Sequence, residues 1–177
     1  MAAIEHAFSE APPRELYLDT DFIIGCLERS DPHHARCAEF MDRIASTART
    51  MLCISSLSWL EFIHTITRER FREIVSDEVR QQFRLDRWEE PAVRRAYIAH
   101  LTSSFEVLLS QCDWAEVSLT PEIRADAVDV IATYNLNTHD AVHLATMRDV
   151  GVVSLASLDR GFRRVDGLHL WNDQIYD

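Results

Sequence analysis

Four carboxylates stand where the sequence predicts the ends of buried strands or the starts of helices: Asp19, Glu61, Asp140 and Asp159. A carboxylate that closes a buried strand, as Asp19 does, is costly unless it is paired or metal-bound. Carboxylates drawn together without basic partners repel one another, and Mg²⁺ or Mn²⁺ is the usual counterion for such a group. An ion bound there can clamp a phosphodiester and lower the pKa of a water for in-line attack. The four residues therefore indicate metal-dependent hydrolysis of phosphodiesters.

Each of these acids also has an ordinary structural explanation. Asp140 falls in the first turn of a helix whose predicted N-cap is Thr138, where an acid favours the helix dipole. Ser58 and Glu61 fit the S-x-x-E capping box. Asp21 is well placed as the N-cap of the helix that follows the first strand. Several such coincidences at one predicted edge of a sheet favour the functional interpretation.

The elements that position these acids alternate between short apolar strands and helices. Strands are predicted at residues 15–19, 50–55, 115–119 and 152–156, with a short fifth at 168–171. This alternation indicates an α/β protein, a three-layer α/β/α sandwich around a central, mainly parallel sheet of four to five strands. Ligands of such open sheets bind beyond the carboxyl ends of the strands, and three of the four acids are predicted to lie there on topology alone.

Composition limits the ways in which the chain could meet nucleic acid. Its 177 residues include 29 acidic and 18 basic ones, and every basic residue is arginine. This deficit of positive charge argues against a general nucleic-acid coat protein, which is usually basic. It is compatible with an enzyme that contacts nucleic acid through a metal ion and a few arginines.

The sequence predicts one domain, residues 14–177, with a helical excursion at about 62–111 and a disordered leader at 1–13. The leader has no apolar core segment, so it is not a signal peptide, and no run reaches membrane-spanning length. The four cysteines show no C-x-x-C pairing, which is typical of free thiols in a reducing cytoplasm. A zinc site at His33, His34 and Cys37 is a weaker alternative because no second Cys/His pair lies nearby.

At its acidic positions the chain resembles the PIN-domain family, and most of all its toxin ribonucleases of VapC type. The similarity covers nearly the whole chain, in stretches 18–24, 55–61, 136–145 and 157–162. The most specific stretch is 136–145, Leu-Asn-Thr-His-Asp-Ala-Val-His-Leu-Ala. The sequence departs from the family pattern at Asp21, where Asn or Ser is more usual, and in the longer segment between Glu61 and Asp140.

The resemblance implies a fold, a cofactor and a reaction. It implies an α/β/α sandwich that binds Mg²⁺ or Mn²⁺ and cleaves RNA, with Asp19, Glu61 and Asp140 as the main acids and Asp159 completing the set. Asp21, Thr138 and Ser157 are candidate accessory residues. No Cys or His stands at metal-ligand spacing, so an all-carboxylate site is predicted.

The resemblance also bears on partners. Members of the toxin branch pair with a small antitoxin protein and often form a homodimer. Arg160, Arg163 and Arg164 follow Asp159 directly and are the predicted contacts to RNA phosphates. The helical segment carries three aromatics that are predicted to be exposed at a homodimer or antitoxin surface: Phe83, Trp88 and Tyr97.

Two other functions remain open at the level of sequence. Residues 17–21 also resemble the D-x-D nucleophile motif of haloacid-dehalogenase-type phosphatases. That family needs a downstream lysine, which this chain lacks, and usually a glycine after the second aspartate. The other alternative is a PIN-like module that binds RNA or a partner protein without cutting. The complete set of four acids disfavours it, because a mere binder has no need to maintain their mutual repulsion.

Overall fold

The computed structural model of the protein describes residues 2–47, 49–69 and 75–173. Six strands form one sheet in the order β1-β6-β5-β2-β3-β4, and every neighbouring pair is parallel. The strands are β1 (Ile4–Ala7), β2 (Glu15–Leu18), β3 (Met51–Ser55), β4 (Trp114–Val117), β5 (Ser154–Ala156) and β6 (His169–Asn172). The five predicted strands are all present, within two residues at each end, and the sixth is β1.

Strand β1 corrects the prediction of a disordered leader at residues 1–13. It pairs in parallel with β6, and the Ile4 amide donates to the Leu168 carbonyl at 2.7 Å. The strand is held by Phe8, directly after it, whose ring stacks on Phe40 with the ring centroids 4.7 Å apart. An apolar anchor of this size explains why so short a segment stays paired at the edge of the sheet.

Seven α-helices lie in the described part of the chain. They are α1 (Thr20–Leu27), α2 (His34–Thr47), α3 (Ser56–His64), α4 (Asp77–Phe83), α5 (Pro91–Leu109), α6 (Pro121–Tyr134) and α7 (Thr138–Asp149). A π-helix at Thr65–Glu69 extends α3, and 3-10 turns occupy Leu85–Arg87 and Arg160–Arg164. None of the helices within the described ranges is both long and apolar enough to cross a membrane.

The helices form separate cores on the two faces of the sheet. Along β2, Leu16 and Leu18 point to one face and Tyr17 to the other, as the pleat of a strand requires. The first face packs against α1, α2, α3 and α5, and the second against α6 and α7. This arrangement confirms the predicted α/β/α sandwich.

The helical segment is more deeply packed than the sequence predicts. Tyr97, which belongs to α5, is fully buried in the core, and Phe83 and Trp88 are half-buried against the same core. The prediction that these aromatics form an exposed interface is therefore wrong for Tyr97. It missed that Val93, Tyr97, Leu101 and Phe105 recur every four residues and so line the inner face of α5. Residues 70–74 of the predicted segment lie outside the described residues.

The chain path creates a natural binding edge. From β2 it continues to β3 and β4 on one side, and then crosses to β5 and β6 on the other side of β2. The loops that leave β2 and β5 thus diverge at the carboxyl edge of the sheet, which is the position where open α/β sheets bind ligands.

Candidate metal centre

Asp19 lies at this edge, directly after β2, and caps helix α1. Its Oδ1 accepts a hydrogen bond from the Thr20 amide at 2.7 Å, and its own amide donates to the Ala156 carbonyl of β5 at 3.1 Å. Asp19, and not Asp21, is therefore the N-cap of α1. The helix begins earlier than predicted because the strand ends at Leu18, which leaves the buried Asp19 to cap it.

Glu61 has no capping role in helix α3. The N-cap is Ser55, and Ser58 completes the capping box that had been predicted for Glu61. Because α3 begins at Ser56, Glu61 lies well inside the helix and its carboxylate is available for the site. Glu61 Oε2 accepts from Thr20 Oγ1 at 2.8 Å, and Oε1 lies 2.8 Å from His139 Nδ1.

Asp140 is held at the start of helix α7. The N-cap of this helix is Asn137 and not the predicted Thr138, which is exposed. Asn137 binds Asp140 twice: its Oδ1 accepts from the Asp140 amide at 2.9 Å, and its Nδ2 donates to Asp140 Oδ2 at 2.7 Å. A short polar side chain at the cap thus orients a first-turn carboxylate.

Asp159 approaches Asp140 across Gly161. Asp159 Oδ1 accepts from the Gly161 amide at 2.6 Å, which caps the 3-10 turn Arg160–Arg164. A Cβ atom at position 161 would lie 3.1 Å from Asp159 Oδ1 and 3.6 Å from Asp140 Oδ2. The absence of a side chain at Gly161 therefore leaves room for both carboxylates to approach the backbone at this point.

Ser157, a predicted accessory residue, links Asp19 to Asp159. Its hydroxyl donates to Asp19 Oδ2 at 2.6 Å and accepts from the Asp159 amide at 3.0 Å. Thr20, which the sequence analysis did not single out, links α1 to Glu61 in the same way. Asp21 is only half-buried, but it is near enough to help raise the pKa of Asp19 after the larger effect of burial.

His143, which the sequence patterns did not indicate as a site residue, lies beneath the carboxylates. Its imidazole is fully buried, with Nε2 2.9 Å from Glu61 Oε2 and 3.8 Å from Asp19 Oδ1. Its Nδ1 lies 2.9 Å from the hydroxyl of Tyr17 on β2. A signal was available, because His143 is three residues after Asp140 and so shares its face of helix α7.

The closest group of potential metal ligands is Asp19, Glu61 and His143. One ligand atom from each lies within 4.8 Å of the other two, and this is the only group of its kind among the residues that the structure describes. Asp140 and Asp159 lie beside it but outside this compact set. The prediction that no histidine is suitably placed is therefore wrong.

Burial and like charge dominate the electrostatics of the site. Burial raises the pKa of Asp19 to about 6, and burial with the nearby Asp19 and Asp159 raises that of Asp140 to about 7. Burial opposes ionisation of Glu61 as well, but His143 outweighs it and lowers the pKa of Glu61 to about 2. For His143, burial disfavours the cation, yet its hydrogen-bonding partners and Asp19 raise its pKa to about 10.

These properties fit a divalent cation. The imidazole balances Glu61, whereas the pKa values of Asp19 and Asp140 stay raised, first because both carboxyls are buried and then because other carboxylates lie near them. Two carboxylates and one imidazole are common ligands of divalent ions, and they converge here on one point. The chain thus presents a set of ligand atoms and an excess of negative charge, and a divalent cation would satisfy both.

The three arginines that were predicted to contact RNA phosphates belong to the 3-10 turn Arg160–Arg164. Arg163 Nε donates to Glu5 Oε2 of β1 at 2.9 Å, and Arg164 Nη1 donates to the Asn135 carbonyl at 3.1 Å. Arg160 is exposed at the start of the turn, next to Asp159. A role for any of them in binding RNA stays a prediction.

The alternative zinc site has no supporting geometry. His33 Nδ1 lies 2.5 Å from Asp173 Oδ2, and His34 Nδ1 lies 2.9 Å from the Gly25 carbonyl. The Cys37 thiol is buried beside Cys26. The three side chains serve different local contacts.

Comparison with known proteins identifies the family. A family model described as PIN domain matches residues 16–168, so the chain belongs to the PIN domain family. None of the curated proteins matches the sequence at a significant level.

Solved structures share the fold at low sequence identity. VapBC2 from Rickettsia felis, bound to a DNA fragment from its promoter, gives a TM-score of 0.57 with 12% identity, over 89% of this chain and 98% of that one. FitAcB from Neisseria gonorrhoeae gives 0.57 with 15% identity, over 89% and 97%. VapC20 from Mycobacterium tuberculosis, a sarcin-ricin loop cleaving toxin, gives 0.52 with 14% identity, over 83% and 92%. The similarity supports the PIN fold of this chain.

Proposed function

We propose that the protein is a divalent-metal-dependent endoribonuclease that hydrolyses RNA phosphodiester bonds. The observation that carries the proposal is that Asp19, Glu61, Asp140 and Asp159 gather at the carboxyl edge of the sheet. The four come from distant parts of the chain, and their mutual repulsion would be a cost without a function. Membership of the PIN family favours this activity over the phosphatase alternative.

The chain's own residues would prepare the site in three ways. Thr20 and Ser157 fix the two oxygens of Asp19, and Thr20 and His143 fix Oε2 of Glu61. Asn137 holds Oδ2 of Asp140, which leaves Oδ1 for a ligand. When bound, Mg²⁺ or Mn²⁺ would polarise the scissile phosphate and acidify a water for in-line attack. Fixed orientation of the carboxylates avoids reorganisation at the moment of reaction.

The test is cleavage of single-stranded and structured RNA, with Mn²⁺ or Mg²⁺ and with chelator. We expect metal-dependent cleavage that Asp19→Asn and Asp140→Asn abolish, since each removes a carboxylate but keeps the side-chain size. Binding of RNA without cleavage would instead support the non-cutting module. A trapped phospho-aspartate at Asp19 would support the phosphatase.

We also propose that the nuclease is the toxin of a type II toxin–antitoxin pair and acts in the cytoplasm. The fold similarity to VapBC2 and FitAcB supports a small antitoxin as its partner. The homodimer proposal rests only on the resemblance to the toxin branch of the family, because the aromatic residues that also suggested it pack against the chain's own core. Co-purification with the product of an adjacent short reading frame, and loss of growth inhibition in Asp140→Asn, would test the assignment.

The arginines after Asp159 are the proposed contacts to RNA phosphates. Each phosphate contact that is lost should flatten the salt dependence of single-stranded RNA binding by about 0.7 units of slope. We expect this for Arg160→Ala and Arg164→Ala, measured with a catalytically inactive variant. Arg163→Ala should change the slope less, because the Arg163 guanidinium already pairs with Glu5. Unchanged slopes in both variants would locate the RNA path elsewhere.

A further inference from the structure

The compact ligand group contains a nitrogen atom that the acidic motifs did not anticipate. His143 Nε2 lies 2.9 Å from Glu61 Oε2 and 3.8 Å from Asp19 Oδ1. With metal–ligand bonds of about 2.1 Å, adjacent octahedral ligands lie about 3.0 Å apart and opposite ones about 4.2 Å apart. The separation of the nitrogen from Glu61 Oε2 therefore matches that of adjacent ligands, and its separation from Asp19 Oδ1 lies between the values for adjacent and opposite ligands.

The other ring nitrogen is held as it is in metal-binding histidines. In such residues the second nitrogen donates to a fixed partner, which orients the ring and raises its basicity as a ligand. Here Nδ1 lies 2.9 Å from the hydroxyl of Tyr17, and both side chains are fully buried. Tyr17 belongs to the central strand, so the ring cannot easily turn Nε2 away from the carboxylates.

His143, Glu61 and Asp19 each offer one ligand atom within 4.8 Å of the other two, a spacing that a single cation can bridge. A divalent ion bound between them would use the lone pair of Nε2, so any proton on Nε2 would leave to solvent while Nδ1 kept a proton toward Tyr17. Exchange of a proton for a metal ion is the usual course of binding at histidine ligands.

We propose that His143 Nε2 binds the metal ion together with Asp19 and Glu61, and that this nitrogen makes the site prefer Mn²⁺ to Mg²⁺. The inference rests on the proposed metal-dependent function and specifies its cofactor. Imidazole is a better ligand for transition metals than for Mg²⁺, which favours oxygen ligands and retains its waters. An all-carboxylate site would lack this reason to discriminate.

Pulsed electron paramagnetic resonance of bound Mn²⁺ tests the proposal without reference to activity. We expect modulation from a directly coordinated nitrogen in the unaltered protein and its loss in His143→Gln, whose amide can still donate to Glu61. The matched control is His139→Gln, which removes the exposed imidazole at the other oxygen of Glu61 and should leave the signal unchanged. Calorimetric titration should show the preference for Mn²⁺ over Mg²⁺ falling about tenfold or more in His143→Gln alone.

The outcomes separate this inference from the proposed function. An unaltered protein that binds Mn²⁺ without nitrogen coupling, or a coupling that persists in His143→Gln, would overturn the ligand assignment while metal-dependent cleavage could still stand. Nitrogen coupling in a protein that leaves RNA intact would overturn the nuclease function and keep the assignment. If His143→Gln fails to fold, Tyr17→Phe provides the second measurement. It should retain the coupling and bind Mn²⁺ about tenfold more weakly, because the ring loses its anchor.

Discussion

The hydroxyl of Tyr17 lies 2.9 Å from His143 Nδ1 and joins the central strand β2 to helix α7 beneath the carboxylates. Both residues are fully buried, so the phenol and the imidazole satisfy each other where water does not reach. This contact places a polar pair inside an apolar core that the sheet forms with α6, α7 and the segments that flank β5. It also couples the stability of the domain to the orientation of the site.

Tyr17→Phe should lower the free energy of unfolding by about 1–3 kcal/mol, because it leaves the buried Nδ1 of His143 without a partner. Urea denaturation of the metal-free protein measures the effect. Tyr134→Phe is the matched control, since the Tyr134 hydroxyl accepts only a 3.3 Å hydrogen bond from the exposed Arg148. It should change stability by less than about 0.5 kcal/mol. Equal losses in the two variants would contradict a special role for the buried pair.

Asp140→Asn should leave the metal-free protein as stable as the parent at neutral pH, or more stable. The pKa of Asp140 is raised from 3.8 to about 7, so the folded protein retains a proton that the unfolded chain releases. Stability from this group is therefore present at low pH and is lost as pH rises from about 4 to about 7. Asp140→Asn removes the titrating carboxyl, so the variant does not lose stability from this group as pH rises. Denaturation in chelator at about pH 5 and about pH 8 measures the difference in slope.

Added Mn²⁺ should change the relative stability of the parent and Asp140→Asn in the opposite direction, in favour of the parent. Mn²⁺ stabilises the form that binds it, so the parent should gain more stability than Asp140→Asn. The control is Glu122→Gln, which removes a first-turn acid from the exposed start of α6. This variant should be slightly less stable than the parent at every metal concentration. If Asp140→Asn behaves like Glu122→Gln, Asp140 is only a helix-start residue.

Glu28 provides a pH dependence away from the candidate site. Burial, with a smaller effect of Asp31, raises its pKa from 4.5 to about 7, so its charged form is disfavoured in the fold. The protein should lose stability as pH rises between about 5 and 7, by up to about 1.4 kcal/mol per unit from this group. Glu28→Gln should reduce that slope in urea denaturation. Glu106→Gln on the exposed face of α5 should not, and an equal effect would refute the assignment to Glu28.

Phe8→Ala should destabilise the fold by about 3 kcal/mol, because the ring fills space between Phe22 and Phe40. Urea denaturation measures the loss. Ile4→Ala in the preceding strand β1 is the control, since Ile4 is 51% exposed and contributes little burial. A Phe8→Ala protein as stable as Ile4→Ala would mean that β1 is not needed for the fold.

Much of the sheet could be predicted from the sequence, because buried parallel strands are continuous apolar runs. Residues 50–55 show this pattern, and β3 occupies Met51–Ser55. Strand β1 could not be predicted because Ile4–Ala7 is only four residues long and has two polar residues in succession, so it shows neither an apolar run nor an alternating pattern. Its pairing depends on Phe8 reaching Phe40, a contact between segments whose proximity no local pattern reveals.

The candidate site also has some features that could be predicted from the sequence and others that could not. The acids could be predicted because strand ends of a parallel sheet share one edge, which brought Asp19 and Asp159 together on topology alone. The caps could not, since Asp19, Ser55 and Asn137 each compete with a neighbour that is equally suitable by type. The role of His143 could not be predicted, because a histidine on an apolar helix face gives no indication of which strand it will contact.

The hydrogen bond between Ser157 and Asp19 spans 138 positions of the chain. Strand β2 also pairs with β5, so the centre of the sheet closes only after most of the sequence is present. Such long-range contacts form late, because loop closure precedes the gain from pairing. The acidic cluster is therefore incomplete until β5 and the residues that follow it have joined β2 in the sheet.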